Sequence, residues 1–260
     1  METVVLKLGG SVITKKSQDK LEINKKNLGR LSSEIASALN EKRTRLVIVH
    51  GAGPFGHVPA KKHKLKGGLK SKRQVIGFSI THQSMEKLNQ DVVETLQKNG
   101  VNAISFQPSA GGILEDGKLV QFPVNTIRMM LQIGMVPVSY GDVLIDIKRG
   151  VGILSGDQLA PYIAKKLKAK RMVIATDVDG IYDRDPKNGG GMHIPLITKK
   201  NISRIKLSGS KATDVTGGME GKVREIMSSE TEAKIISALK RGNVRDALLG
   251  KKVKGTVIRC

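Results

Sequence analysis

At 260 residues, 39% apolar and 26% charged, the chain has the composition of a folded domain with a sizeable core, which excludes disorder as its overall state. Four Phe, three Tyr and no Trp exclude a broad stacking surface for nucleic-acid bases and leave the core to Val, Ile, Leu, Ala and Met. Cys260 is the sole cysteine, so an intramolecular disulfide and a cysteine metal cluster are excluded, and a reducing, cytoplasmic setting is expected.

The 45 Lys plus Arg against 23 Asp plus Glu give a net charge of +22, enough to attract polyanions. The cations are scattered along the whole chain, with no helix-turn-helix, zinc or aromatic RNA-binding signature. The opening METVVLKLGG lacks a basic leader followed by a long apolar region, and no apolar run approaches the roughly 20 residues of a membrane span. A soluble, non-secreted protein is expected.

Val4 to Leu8 is a short apolar run ending at Gly9 and Gly10, the pattern of a buried strand entering a tight turn. Leu28, Leu31, Ile35, Ala38 and Leu39 recur at helical spacing. Leu46 to Val49 then reads as a second buried strand feeding a glycine loop, Gly51 to Gly56. A basic stretch around Lys61 to Arg73 reads as mobile. A long helix is expected from about Lys72 to Gln97, then strands near Val101 to Phe106 and Met135 to Ser139. Asp116-Gly117 and Arg149-Gly150 are hairpin signals and suggest small antiparallel attachments. The second half predicts a helix over Gln158 to Leu167, a strand over Met172 to Thr176, a helix from near Gly218, and short strands at Ile235 to Leu239 and Thr256 to Ile258. Alternating helices and parallel strands indicate one α/β/α sandwich spanning 1–260.

Three glycine-rich segments stand at strand ends or helix starts: Lys7 to Ser11 (KLGGS), His50 to His57 (HGAGPFGH) and Val215 to Lys222 (VTGGMEGK). Glycine lets backbone amides approach an anion unhindered, and a helix start adds its positive dipole end. Together they suit a polyphosphate. None is a GxxxxGK loop followed by Ser or Thr, and none has the GxGxxG spacing of a dinucleotide-binding turn. No GxSxG elbow supports a serine hydrolase.

KLGGSVITKK, VHGAGPFGH, SGDQLAPYIA, ATDVDGIYDRDP and DVTGGMEGK occur in the order found in the amino acid kinase superfamily. The histidine closing the second loop resembles the branch that phosphorylates isopentenyl phosphate. The likeness runs from Leu6 to Thr256 and implies an eight-stranded, mainly parallel sheet between helices. It further implies an acceptor-binding and dimerisation lobe over about 1–155, an ATP-binding lobe over about 156–260, and a homodimer.

The resemblance assigns roles residue by residue. Lys7 and Lys222 approach the migrating phosphoryl group from the two halves, Lys16 stabilises the transition state, and Asp157 holds the catalytic lysines. Leu8, Gly9, Gly10, Ser11, Gly53, Asp177, Gly217 and Gly218 belong to the ATP side, and Ala52, His57 and Gly156 to the acceptor side. Phosphoryl transfer spreads charge over three oxygens, so lysines and a positioning carboxylate are the residues it needs. His57 can donate a hydrogen bond to an acceptor phosphate, whereas His50, at the strand end, reads as structural. Neither histidine suits zinc, and no protein metal ligand is expected. A phosphomonoester with a second pKa near 6 is already largely dianionic at neutral pH, so no general base is required. Magnesium is expected with ATP. From the helical pattern, Ile76 and Ile80 are expected to contact a five-carbon tail. The alternatives are a relative acting on a nucleotide, a carbamate or an acylated amino acid, and a non-enzymatic nucleic-acid-binding protein on the same scaffold.

Overall fold

A computed structural model of the protein describes residues 1–15, 21–184, 191–202 and 218–260. The first half runs β1 (Thr3–Leu8), α1 (Gly10–Ile13), α2 (Lys25–Glu41), β2 (Arg45–His50), α3 (Gly53–Lys62), α4 (Arg73–Lys98), β3 (Ala103–Ser105), β4 (Ile113–Glu115), β5 (Lys118–Gln121), α5 (Val124–Gln132), β6 (Val136–Tyr140), β7 (Asp142–Asp146) and β8 (Gly150–Leu154). The second runs α6 (Gly156–Leu167), β9 (Arg171–Thr176), β10 (Ile181–Tyr182), β11 (His193–Ile194), β12 (Leu196–Thr198), α7 (Gly218–Ser228), β13 (Ala233–Ser237), α8 (Asn243–Leu249) and β14 (Gly255–Arg259).

Among the described residues, eight strands form one sheet in the order β12-β14-β13-β9-β1-β2-β6-β3. Only the β13–β14 pair is antiparallel. Strands buried on both faces read as continuous apolar runs, and VVLKL, LVIV and MVIAT are of that kind. Period-two alternation decides which layer each side chain joins. Val4, Leu6 and Leu8 of β1 pack with α1, α2, α4 and α8 on one face. Val5 packs with α5, α6 and α7 on the other. Burying each of these aliphatic side chains is worth roughly 1.5–3 kcal/mol, so two extended cores fix the three-layer arrangement.

β1 lies between β2 and β9 at the centre of the sheet, and all three are parallel. Their carboxyl ends open on one edge, where Gly9, Gly51 and Asp177 follow. In open α/β sheets that edge is where ligands bind.

Three local features differ from the sequence reading. The second glycine segment is mostly helix: α3 starts at Gly53, because Pro54 in the first turn has no amide for the helix to lose. The two hairpins join into one four-stranded sheet, β5-β4-β7-β8, through a parallel β4–β7 pair. The Asp146 carboxylate ties both turns together by accepting from the amides of Asp116, Gly117, Lys148 and Arg149. Finally, the segment before α4 has a defined course. The Gln74 side chain accepts from the amides of Lys70 and Ser71 and donates to the carbonyls of Lys64 and Gly68.

Candidate active site

Alternation along β1 turns Lys7 to the α6 side of the sheet, and the chain leaves it only 6% exposed. A buried ammonium demands a partner. It finds one at the start of α6, where Nζ of Lys7 lies 2.7 Å from Oδ1 of Asp157. Ser155 caps that helix by accepting from the Gln158 amide, so Asp157 sits in the first turn, where the helix dipole favours a carboxylate. From α7, Nζ of Lys222 lies 3.9 Å from the other carboxylate oxygen. Burial works to raise the Asp157 pKa. The charges of Lys7 and Lys222, the Lys7 hydrogen bond and His57 outweigh it and hold the carboxyl below its ordinary value.

The two N-terminal glycine segments meet backbone to backbone. A Cβ on Gly10 would stand 2.3 Å from the Gly53 amide nitrogen, so only glycine permits the approach. Gly53 itself has φ +51°, and a Cβ there would strike the Thr14 hydroxyl at 2.4 Å. That hydroxyl donates to the Gly10 carbonyl at 2.7 Å.

These segments open onto a cavity of about 1660 Å³, larger than the roughly 300–1,000 Å³ of a single small-ligand pocket and sufficient for two substrates. Lys7, Gly9, Gly10, Ser11, Ala52, Gly53, His57, Gly156, Asp157, Asp177 and Lys222 all line it. His57 is exposed on the second turn of α3 rather than at the end of a loop. Thr176 donates to the Asp177 carboxylate at 3.2 Å. Gly218 opens α7, while Lys16 and Gly217 lie outside the described residues.

Three of the expected residues do not line the cavity. Leu8 is 1% exposed, with its side chain in the core and its carbonyl taken by the Gly51 amide, so it does not line the cavity. Ile76 and Ile80 are 59% and 42% exposed, on the outer face of α4. Helical phase brings Gln74, Thr81 and Met85 of α4 to the cavity instead, beside Val143 and Ile153 of β7 and β8. The spacing of apolar residues along α4 did not distinguish its two apolar sides.

His50, His82, Asp142 and Asp179 have protein partners. His50 is fully buried, stacks on Tyr140 at 5.4 Å, and has Gly51 O and Asn89 Oδ1 at 3.1 and 3.2 Å. Burial pushes its pKa down to about 4, so it is neutral and structural. His82 sits in an ionic cluster that no local pattern signals. Its Nδ1 is 3.0 Å from Oδ2 of Asp142 and its Nε2 is 3.2 Å from Glu86. The Asp142 hydrogen bond is the largest influence and raises the His82 pKa. Asp142 lines the cavity wall from β7. Asp179 accepts from Tyr182 at 2.6 Å and pairs with Lys254 and Lys240; the Tyr182 hydrogen bond, followed by the two lysines, holds its carboxyl well below the usual range.

Comparison with known proteins agrees with this geometry. Residues 2–237 match the amino acid kinase family. The chain is 39% identical to the isopentenyl phosphate kinase of Methanothermobacter thermautotrophicus over 98% of each chain. It is also 39% identical to that of Methanocaldococcus jannaschii, over 98% of this chain and 97% of the relative. An X-ray structure of isopentenyl phosphate kinase superposes with a TM-score of 0.86 at 37% identity, covering 98% of this chain and 99% of that one.

Proposed function

This chain belongs to the amino acid kinase family, and we propose that it transfers the γ-phosphoryl group of ATP to isopentenyl phosphate, giving isopentenyl diphosphate and ADP. The observation that carries the reading is the convergence of Lys7, Asp157, Lys222 and His57 on one cavity. The full-length likeness to isopentenyl phosphate kinases supports it.

In this reading Lys7 and Lys222 flank the migrating PO3 unit and neutralise charge on its equatorial oxygens, with Asp157 fixing both ammonium groups in advance. ATP lies over the carboxyl end of β9 and the start of α7, toward Asp177 and Gly218. The acceptor lies against Ala52, His57 and Gly156. His57 donates to the acceptor phosphate, which attacks as its own dianion without a base. The family resemblance gives Lys16, outside the described residues, the role of stabilising the transition state. The five-carbon tail would rest on Thr81, Met85, Val143 and Ile153, the apolar side of the cavity.

Magnesium would enter on the phosphate oxygens of ATP. Among the described residues no group of three or more His, Cys, Asp or Glu gathers to cage an ion, and the cations of the cleft complement a metal–polyphosphate complex. Once bound, the ion would shield the charge of the polyphosphate. A homodimer fits the apolar face that Val75, Ile76 and Ile80 leave exposed on α4, and the single cysteine fits the cytoplasm.

An acceptor panel read by ADP release tests the function. Isopentenyl phosphate is expected to give the highest kcat/KM, above isopentenol, N-acetylglutamate, carbamate and UMP. Preference for any of the others would replace the acceptor. Absence of ATP turnover together with tight, salt-sensitive, sequence-indifferent binding of duplex DNA would replace the enzyme reading altogether.

A further inference from the structure

From residue 51 to residue 85, 35 positions counted inclusively, the sequence contains no Asp or Glu, yet it carries Lys61, Lys62, Lys64, Lys66, Lys70, Lys72 and Arg73. The fold puts Lys61, Lys62, Lys64, Lys66, Lys70 and Arg73 on the wall of the active-site cavity, all six exposed. Among the described residues none of the six pairs with a carboxylate. Most surface lysines swing freely on solvated loops. These are mounted on a segment held in place. Gln74 ties four backbone groups of the stretch from Lys64 to Ser71. Leu65 is fully buried beside Ala60 and Val143, and the Leu69 amide donates to the Arg149 carbonyl at 2.7 Å. Lys64 is kept at φ +54°, a conformation that a non-glycine residue rarely adopts unless its surroundings impose it.

Of the three carboxylates that line the cavity, Asp142 is matched by His82, Asp157 by Lys7 with Lys222, and Asp177 accepts from Thr176. The cations near the mouth are left uncompensated. A cleft lined by one sign of charge focuses its field into the opening and can raise capture of an oppositely charged ligand by 10- to 1,000-fold.

We propose that the cations of residues 61–73 form an electrostatic funnel that draws the phosphomonoester dianion into the acceptor side of the cleft, acting on capture and not on phosphoryl transfer. The inference rests on the kinase reading above. Its position favours the acceptor over ATP, because the segment packs on α3, α4 and β8, away from β9 and α7.

The test reverses three charges in the full-length protein, Lys64→Glu, Lys66→Glu and Lys70→Glu together. A control of equal charge change, Arg43→Glu, Lys98→Glu and Lys170→Glu, places the reversals at the opposite end of the sheet, before β2, at the end of α4 and before β9. A milder Lys64→Gln, Lys66→Gln, Lys70→Gln variant guards against misfolding, and circular dichroism checks all three. With isopentenyl phosphate varied, kcat/KM of the unaltered protein is expected to fall about tenfold between 20 mM and 500 mM salt, as the screening length shrinks from roughly 20 Å to a few Å. The Glu triple is expected to lose about tenfold in kcat/KM at 20 mM salt and nearly all of the salt dependence, with kcat within twofold and a smaller loss toward ATP. The Gln triple should fall between. An equal loss in the control would assign the effect to net charge and overturn the proposal. So would an unchanged salt slope in the Glu triple, an equal loss toward ATP, or a tenfold fall in kcat. If the unaltered protein phosphorylates no isopentenyl phosphate, the functional reading fails first and the funnel falls with it. An active protein with an unaffected Glu triple sinks the funnel alone.

Discussion

The Lys7 ammonium lies 2.7 Å from an Asp157 oxygen, joining the centre of the sheet to the first turn of α6. The pair is largely buried, with side chains 7% and 16% exposed, so removing one partner strands the other. Asp157→Asn is expected to lower kcat by about 100-fold through misplaced lysines, and to lower stability by about 3 kcal/mol. Because the Asp157 pKa is depressed in the folded state, its contribution is present above the ordinary carboxylate pKa near 4 and is lost as pH falls below it. Urea unfolding across pH 3 to 7 should therefore show a steeper acid loss in the unaltered protein than in the variant.

His57 lines the same cavity from α3, where it also helps hold the Asp157 carboxyl below its ordinary value. His57→Ala is expected to cut turnover of isopentenyl phosphate by about 100-fold, the loss typical of one preorganised donor, while the KM for ATP stays within twofold. Steady-state kinetics with each substrate varied separates the two. An unaltered rate would remove His57 from the mechanism.

Glycines separate into those that hold the site and those that do not. Gly10→Ala would drive a Cβ into the Gly53 backbone and is expected to cost about 1–3 kcal/mol while raising KM for both substrates. Gly29, inside α2, has nothing within 4 Å of where its Cβ would stand. Gly29→Ala should instead gain about 0.5–1 kcal/mol with unchanged kinetics. Thermal unfolding of the two variants reads both signs.

His82 links α4 to β7 through Asp142, with Glu86 on its own helix and Gln107 and Ser109 also within reach. Its pKa is raised by Asp142, so its stabilisation is complete below the unfolded value near 6.5 and is lost as pH rises through the folded value. His50, depressed to about 4, has the opposite sign and weakens the fold as pH falls from 6.5 toward 4. Denaturation of His82→Gln should show a flatter profile above pH 6.5 than the unaltered protein, with the acid limb unchanged.

The parallel sheet was legible because its central strands are short apolar runs, two of which, β1 and β2, lead into glycine. The α4 boundaries, expected at Lys72 to Gln97 and found at Arg73–Lys98, followed from the length of the helical pattern. Lys7 stood out as the one charge in an apolar strand. What the sequence hid was set by tertiary packing. Pro54 and Gly53 read as loop residues but start α3. Ile76 and Ile80 share an apolar face with no marker for which side meets the sheet. The pairing of Asp142 with His82 spans 60 residues, beyond any local pattern. The basic stretch read as mobile because nothing in its composition reveals the four hydrogen bonds of Gln74.

Phosphorus NMR of the protein with ATP, magnesium and isopentenyl phosphate addresses the central claim most directly. The account predicts that the acceptor's single monoester resonance is replaced by a coupled pair of diphosphate doublets, growing in step with ADP. A monoester signal that persists while ATP is consumed, with inorganic phosphate accumulating, would contradict it.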